Sequence, residues 1–282
     1  MLEGKMTLST RNYFFRGGIL LAAMSLCLIA IGGYFAFSAY PGAVESAAMR
    51  SRGILQALVE NRVSPAAHVP FFTMLAAVMY SLISIALIGN FFEKTQSPEI
   101  LFFGLFVISM SFEFLRLIIP LRAVFAFPAM YTITSARVLL FARYFGIFSL
   151  FATSVYAAGL DAQKQHNTLF ILVLSALVIT IRLPIDAIVW DSTLMPWSGY
   201  GSMFAMVEAG ILAVVMLTFF VAAYSRGSRA YVFIGIGVFL VYTGRNILFS
   251  ADTWITLIPG LPALAVGTWI IASRLRREYL WI

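Results

Sequence analysis

In the stretch SMSFEFLRLIIP (109–120) an acid and a base, Glu113 and Arg116, stand three residues apart in an otherwise apolar run. A second run, ITIRLPIDAIVW (179–190), holds Arg182 and Asp186 four apart, a spacing that shares one face of a helix, with Pro184 between them. Arg137, Arg143, Glu208 and Arg245 are likewise embedded in long apolar segments. An isolated charge in hydrocarbon costs several kcal/mol, so these eight groups are expected to face one another inside a bundle. The expected pairs are Glu113 with Arg116 or Arg182, Glu208 with Arg143 or Arg245, and Asp186 with Arg182 of its own helix.

The tally favours base: Arg116, Arg137, Arg143, Arg182 and Arg245 against Glu113, Asp186 and Glu208. Excess guanidinium in an accessible cavity suits a carboxylate, a phosphate or a lipid headgroup. The competing expectation is a closed salt-bridge network, with Arg116 and Arg137 snorkelling to headgroups. Asp191 and Asp252 are placed at the mouth of this layer. Ser111 and Ser135 lie near it, where interhelical hydrogen bonding is their commoner use.

Few other groups suggest chemistry. The two histidines, His68 and His166, fall at opposite membrane faces, so no metal or haem site is expected, and no cofactor. Cys27 is the only cysteine, which excludes an intrachain disulfide. No P-loop, dinucleotide fingerprint, G-x-S-x-G elbow or H-E-x-x-H is present. Catalytic residues are therefore unassigned, and an enzyme using Glu113, Asp186 or Glu208 on a lipid ranks below a binding protein.

The elements that must position these side chains follow from composition. Of 282 residues, 61% are apolar and 11% charged, where soluble domains carry about a quarter charged residues. The formal charge of +7 is read as topology and headgroup contact, not as nucleic-acid binding. The predicted fold is an all-α polytopic membrane bundle of about eight helices: 17–38, 68–90, 99–120, 131–158, 167–190, 200–223, 229–249 and 253–273. At 1.5 Å per residue, Glu113 lies about 21 Å along the third and Arg182 about 22 Å along the fifth. Gly32, Gly33, Gly235, Gly237 and Gly244 are read as helix-packing positions.

The organisation is one plus seven: residues 1–38 as cytosolic N-terminus and first helix, 39–67 as an outer connector, 68–273 as a seven-helix bundle and 274–282 as a basic cytosolic tail. Within the connector, Val44, Leu55, Leu58 and Val59 among charged residues fit either an amphipathic surface helix or an ordinary solvent-facing one. The first helix is read as retained; its rival is a signal peptide cleaved near Ala36-Phe37-Ser38. Lys and Arg counts place both termini in the cytoplasm, in a bacterial inner membrane, with the charged layer facing outward.

This order loosely resembles bacterial multihelix receptor regions, a likeness of helix count and order alone, and such regions normally feed a cytosolic output domain. Only RLRREYLWI follows the last predicted helix, so signalling would need a separate partner. The leading expectation is a binding or sensor-like accessory protein for an anionic small molecule or lipid headgroup. The alternatives are a transporter or lipid-handling component of a membrane complex, a membrane enzyme acting on a lipid, and a scaffold.

Overall fold

A computed structural model of the chain describes residues 7–38 and 68–280. The connector 39–67 and Trp281 lie outside the described residues, so the amphipathic-helix expectation does too. Among the described residues, eight helical segments are long and apolar enough to cross a membrane, forming an all-α bundle. The helices are α1 (Leu8–Ser38), α2 (Val69–Phe91), α3 (Pro98–Ser109), α4 (Ile118–Phe125), α5 (Ala129–Ala157), α6 (Gln165–Arg182), α7 (Gly201–Arg226), α8 (Ala230–Phe249) and α9 (Trp254–Leu280).

The third span runs Pro98–Arg122 and is the most buried of the eight. It is not one α-helix. Between α3 and α4, Met110–Leu117 winds as a 3-10 helix of eight residues, long for a form that rarely exceeds four. With three residues per turn, Met110, Glu113 and Arg116 fall in one row, and all three are buried. The tighter winding thus keeps all three residues in one line, where an α-helix would let the row drift around its axis.

Three boundaries differ most from the sequence expectation, the first being the start of α1, which lies at Leu8 instead of 17. The fifth span ends at Arg182 instead of continuing to 190: Leu183, which precedes Pro184, is extended (φ −68°, ψ 125°), the conformation that a following proline imposes. Pro184 therefore terminates the helix and does not kink it. Residues Ile185–Trp190 (β1) and Pro196–Ser198 (β2) then form an irregular antiparallel hairpin, with Ile185 opposite Ser198 and Trp190 opposite Pro196. At the other end of the chain, α9 continues to Leu280, so the basic tail from 274 is helical through most of its length.

Close approaches set the helix spacing. A β-carbon on Gly244 would lie 2.9 Å from the Gly260 carbonyl oxygen, and one on Gly267 would lie 2.7 Å from that of Gly237. Glycines seven apart on each helix therefore bring α8 and α9 into backbone contact, the small-residue packing used between helices in lipid. Gly146 lets α5 close on the side chains of Ser109 and Phe106 of α3, where a β-carbon would collide with Ser109 Oγ. That contact is one turn from both Glu113 and Arg143.

Candidate functional site: a buried charge cluster beneath a polar cavity

Glu113 is 1% exposed and accepts a two-pronged hydrogen bond from α5: Arg143 Nε donates to Oε1 and Arg143 Nη2 to Oε2, each at 2.8 Å. This fork matches guanidinium to carboxylate geometry and is the strong form of the pair. Arg116 adds a longer contact, Nη1 to Glu113 Oε2 at 3.3 Å. Glu113 is thus the junction of two spans.

Arg116, also 1% exposed, reaches two further elements. Its Nη1 lies 3.3 Å from Thr73 Oγ1 on α2, and its Nη2 donates to the backbone carbonyl of Thr193 in the hairpin turn. That turn is built by Asp191, whose Oδ1 accepts from Thr193 N, Thr193 Oγ1 and Met195 N at 3.0, 2.6 and 2.9 Å. The carboxylate supplies what turn backbone would otherwise lack. Leu194 adopts a left-handed φ of +59°, costly for a residue with a branched side chain. Its side chain is buried with Phe71, Met74 and Leu117, and Met195 is buried with Leu139, Tyr144 and Leu183. The hairpin tip therefore plugs the end of the bundle, held by apolar burial and by Arg116.

Above the ion pairs lies a cavity of about 550 Å³, lined by Arg143, Arg245, Phe249, Glu208 and Asn246, with Asp191, Ser192, Thr193, Met195, Ser250 and Asp252 around them. Arg245 is 2% exposed; its Nη2 donates to the Arg143 carbonyl at 3.1 Å and its Nη1 to Asn246 Oδ1 at 3.3 Å. The guanidinium carbons of Arg143 and Arg245 lie 4.3 and 4.8 Å from the centre of the Phe249 ring. A shared aromatic face offsets part of the cost of bringing two cations together. Among the described residues, no carboxylate lies within 4.0 Å of the Arg245 guanidinium.

The expected pairings are redistributed. Glu208 accepts from Tyr242 Oη at 3.3 Å and forms no salt bridge with Arg143 or Arg245 among the described residues. Arg143 goes to Glu113 instead, because Gly146 brings α5 against α3 at that level. Arg137 and Arg182 are exposed, which removes both from the cluster. The partnership of Arg182 with Asp186 loses its helical basis, since Asp186 is in β1. In their place stand Asp191, which builds the hairpin turn, and Asp252, which accepts from Ser192 Oγ at 3.1 Å. The cluster then comprises Arg116, Arg143 and Arg245 with Glu113, Asp191, Glu208 and Asp252, and the basic excess is gone.

Several contributors had no charge to announce them. Thr73, the Thr193 carbonyl, Phe249, Tyr242 and Asn246 give no pattern in the sequence, although Asn246 directly follows Arg245. Ser111 is buried and hydrogen-bonded to Ser81 at 2.7 Å, a structural contact between the third span and α2. Among the described residues no three His, Cys, Asp or Glu side chains are grouped to hold a metal ion, so the cavity carboxylates do not converge. Comparison with protein-family models, with curated proteins and with solved structures gives no match.

Proposed function

We propose that this integral membrane protein is a binding, sensor-like component of a bacterial cytoplasmic membrane, with its cavity open to the outer side. The orientation rests on the concentration of Lys and Arg at the opposite end, where Arg11, Lys94, Lys164, Arg229, Arg276 and Arg277 lie. The observation that carries the reading is Arg245: a buried guanidinium without a carboxylate in salt-bridge range, lining a cavity of about 550 Å³ beside Arg143. A ligand carboxylate or phosphate would complete its hydrogen bonding.

The lining also limits the ligand. Glu208, Asp191 and Asp252 share the walls with Arg143 and Arg245, so a bare anion meets repulsion as well as attraction. A compact molecule with an anionic group toward Arg245 and a donor or ammonium toward Glu208 and Asp252 fits both. Because Arg143 also holds Glu113, ligand contact there would be felt by the third span and, through Arg116, by the hairpin. That linkage is the physical basis for a sensor-like role.

Calorimetric titration of the purified protein with inorganic phosphate and with phosphoethanolamine tests the reading. Phosphoethanolamine should bind more tightly than phosphate. Arg245→Gln should weaken it about 10- to 100-fold, the value of about 1.5–3 kcal/mol for a charged hydrogen bond, with the thermal transition retained. If neither probe binds, or if the folded variant binds equally well, the cluster serves only to hold the bundle together.

A further inference from the structure

A second recess lies far from the hairpin, along the seam between α2 and α9, and is independent of the reading above. It consists of two adjoining hollows of about 540 and 600 Å³ that share Phe91, Phe92, Trp269 and Ala272. The recess exists because the facing residues are small: Ala76 and Ser84 on α2, Ala265, Ala272 and Ser273 on α9. Its one conspicuous polar group, Tyr80 Oη, is satisfied by Thr268 Oγ1 at 2.6 Å, so the floor offers nothing to a polar ligand. From Leu261 to Arg277 the α9 wall rises about 24 Å at 1.5 Å per residue. One leaflet of a hydrocarbon core about 30 Å thick measures about 15 Å, so the recess spans a leaflet and reaches the headgroups.

At that headgroup end the lining changes from apolar to Arg276 and Arg277, both exposed. Among the described residues neither has a carboxylate within 4.0 Å, and Arg276 lies 5.5 Å from the centre of the Phe91 ring. Glu93 and Lys94, exposed just beyond α2, offset each other in formal charge. We propose that the α2–α9 recess is a binding site for one anionic phospholipid, its acyl chain along Ala76, Ala265 and Trp269 and its phosphate on Arg276 and Arg277. Two guanidinium groups with no acid between them favour a net negative headgroup over a zwitterionic one, whose ammonium would be repelled.

The test uses the full chain in nanodiscs containing equal amounts of phosphatidylglycerol and phosphatidylcholine with matched acyl chains, followed by native mass spectrometry of retained lipid. The unaltered protein should retain phosphatidylglycerol several-fold over phosphatidylcholine. Arg276→Gln/Arg277→Gln, at exposed positions that leave the bundle intact, should bring that ratio to near one. Ala265→Phe, which fills the recess without altering charge, should reduce retained phosphatidylglycerol by about one molecule per protein. Equal retention of the two lipids by the unaltered protein overturns the proposal, as does an unchanged ratio in the double variant. Full retention by folded Ala265→Phe overturns it too, since the lipid would then be held by surface charge alone.

Discussion

The third span carries two buried glutamates fourteen residues apart, and they are housed differently. Glu113 accepts a fork from Arg143 at 2.8 Å, within a network of buried or nearly buried arginines. Glu99, at the opposite end, lies 3.7 Å from Arg226, whose side chain is 37% exposed. Arg226 also donates to Tyr231 Oη at 2.5 Å and to the Tyr156 carbonyl at 3.2 Å. The first site binds separate spans to one another beneath the cavity, with the side chains of Arg116 and Arg143 0% and 17% exposed; the second borders solvent, where a loosened arginine can be hydrated. Similar residues therefore carry unlike energies, because the arginine of the second pair reaches water more freely than those of the first.

Glu113→Gln should be the harshest test of that contrast. Removing the carboxylate leaves Arg116 and Arg143 buried without their shared counter-ion, and breaking such a network costs about 3–5 kcal/mol. Denaturant unfolding in detergent micelles measures it; a loss below about 1 kcal/mol would put Glu113 on a par with a surface pair. Gly146→Leu should cost about 1–3 kcal/mol by overpacking against Ser109. It should also weaken ligand binding, since it separates α5 from the third span near the fork. Normal stability and normal binding in that variant would show that the close approach does not hold Arg143 in place. The smallest effect is expected for Arg226→Gln, about 1 kcal/mol, because Glu99 stays buried while the arginine borders water, and it is reduced further by added salt. A loss equal to that of Glu113→Gln would erase the distinction between the two ends.

Much of the architecture was legible because crossing a membrane demands long apolar runs, and eight of them stand among the described residues. The proximity of Glu113 to Arg116 was legible too, as a short-range spacing. The fork to Arg143 was not, since it depends on which face of α5 meets α3, a choice made by Gly146 and Ser109. The hairpin was masked by the apolar run after Pro184, which continues the helix in hydropathy while Ile185, Ile188, Val189 and Trp190 are β-branched or aromatic. Read with the proline, those residues carry the strand signal. Arg137 and Arg182 looked equivalent to Arg143 in sequence, yet both are exposed, Arg182 at the last residue of α6 and Arg137 on an outer face of α5, where a long side chain can extend away from the bundle.

The three-residue row of the 3-10 segment has a consequence for the order in which the protein is made. When the third span leaves the ribosome, Arg143 is thirty residues behind Glu113, and the Thr193 carbonyl is seventy-seven behind Arg116. Until they arrive, the contact between Glu113 and Arg116 is the counter-ion that the span brings with it, lowering the cost of its entry into lipid. The longer of the two contacts that Glu113 makes in the finished bundle, at 3.3 Å, is thus the one available first during insertion.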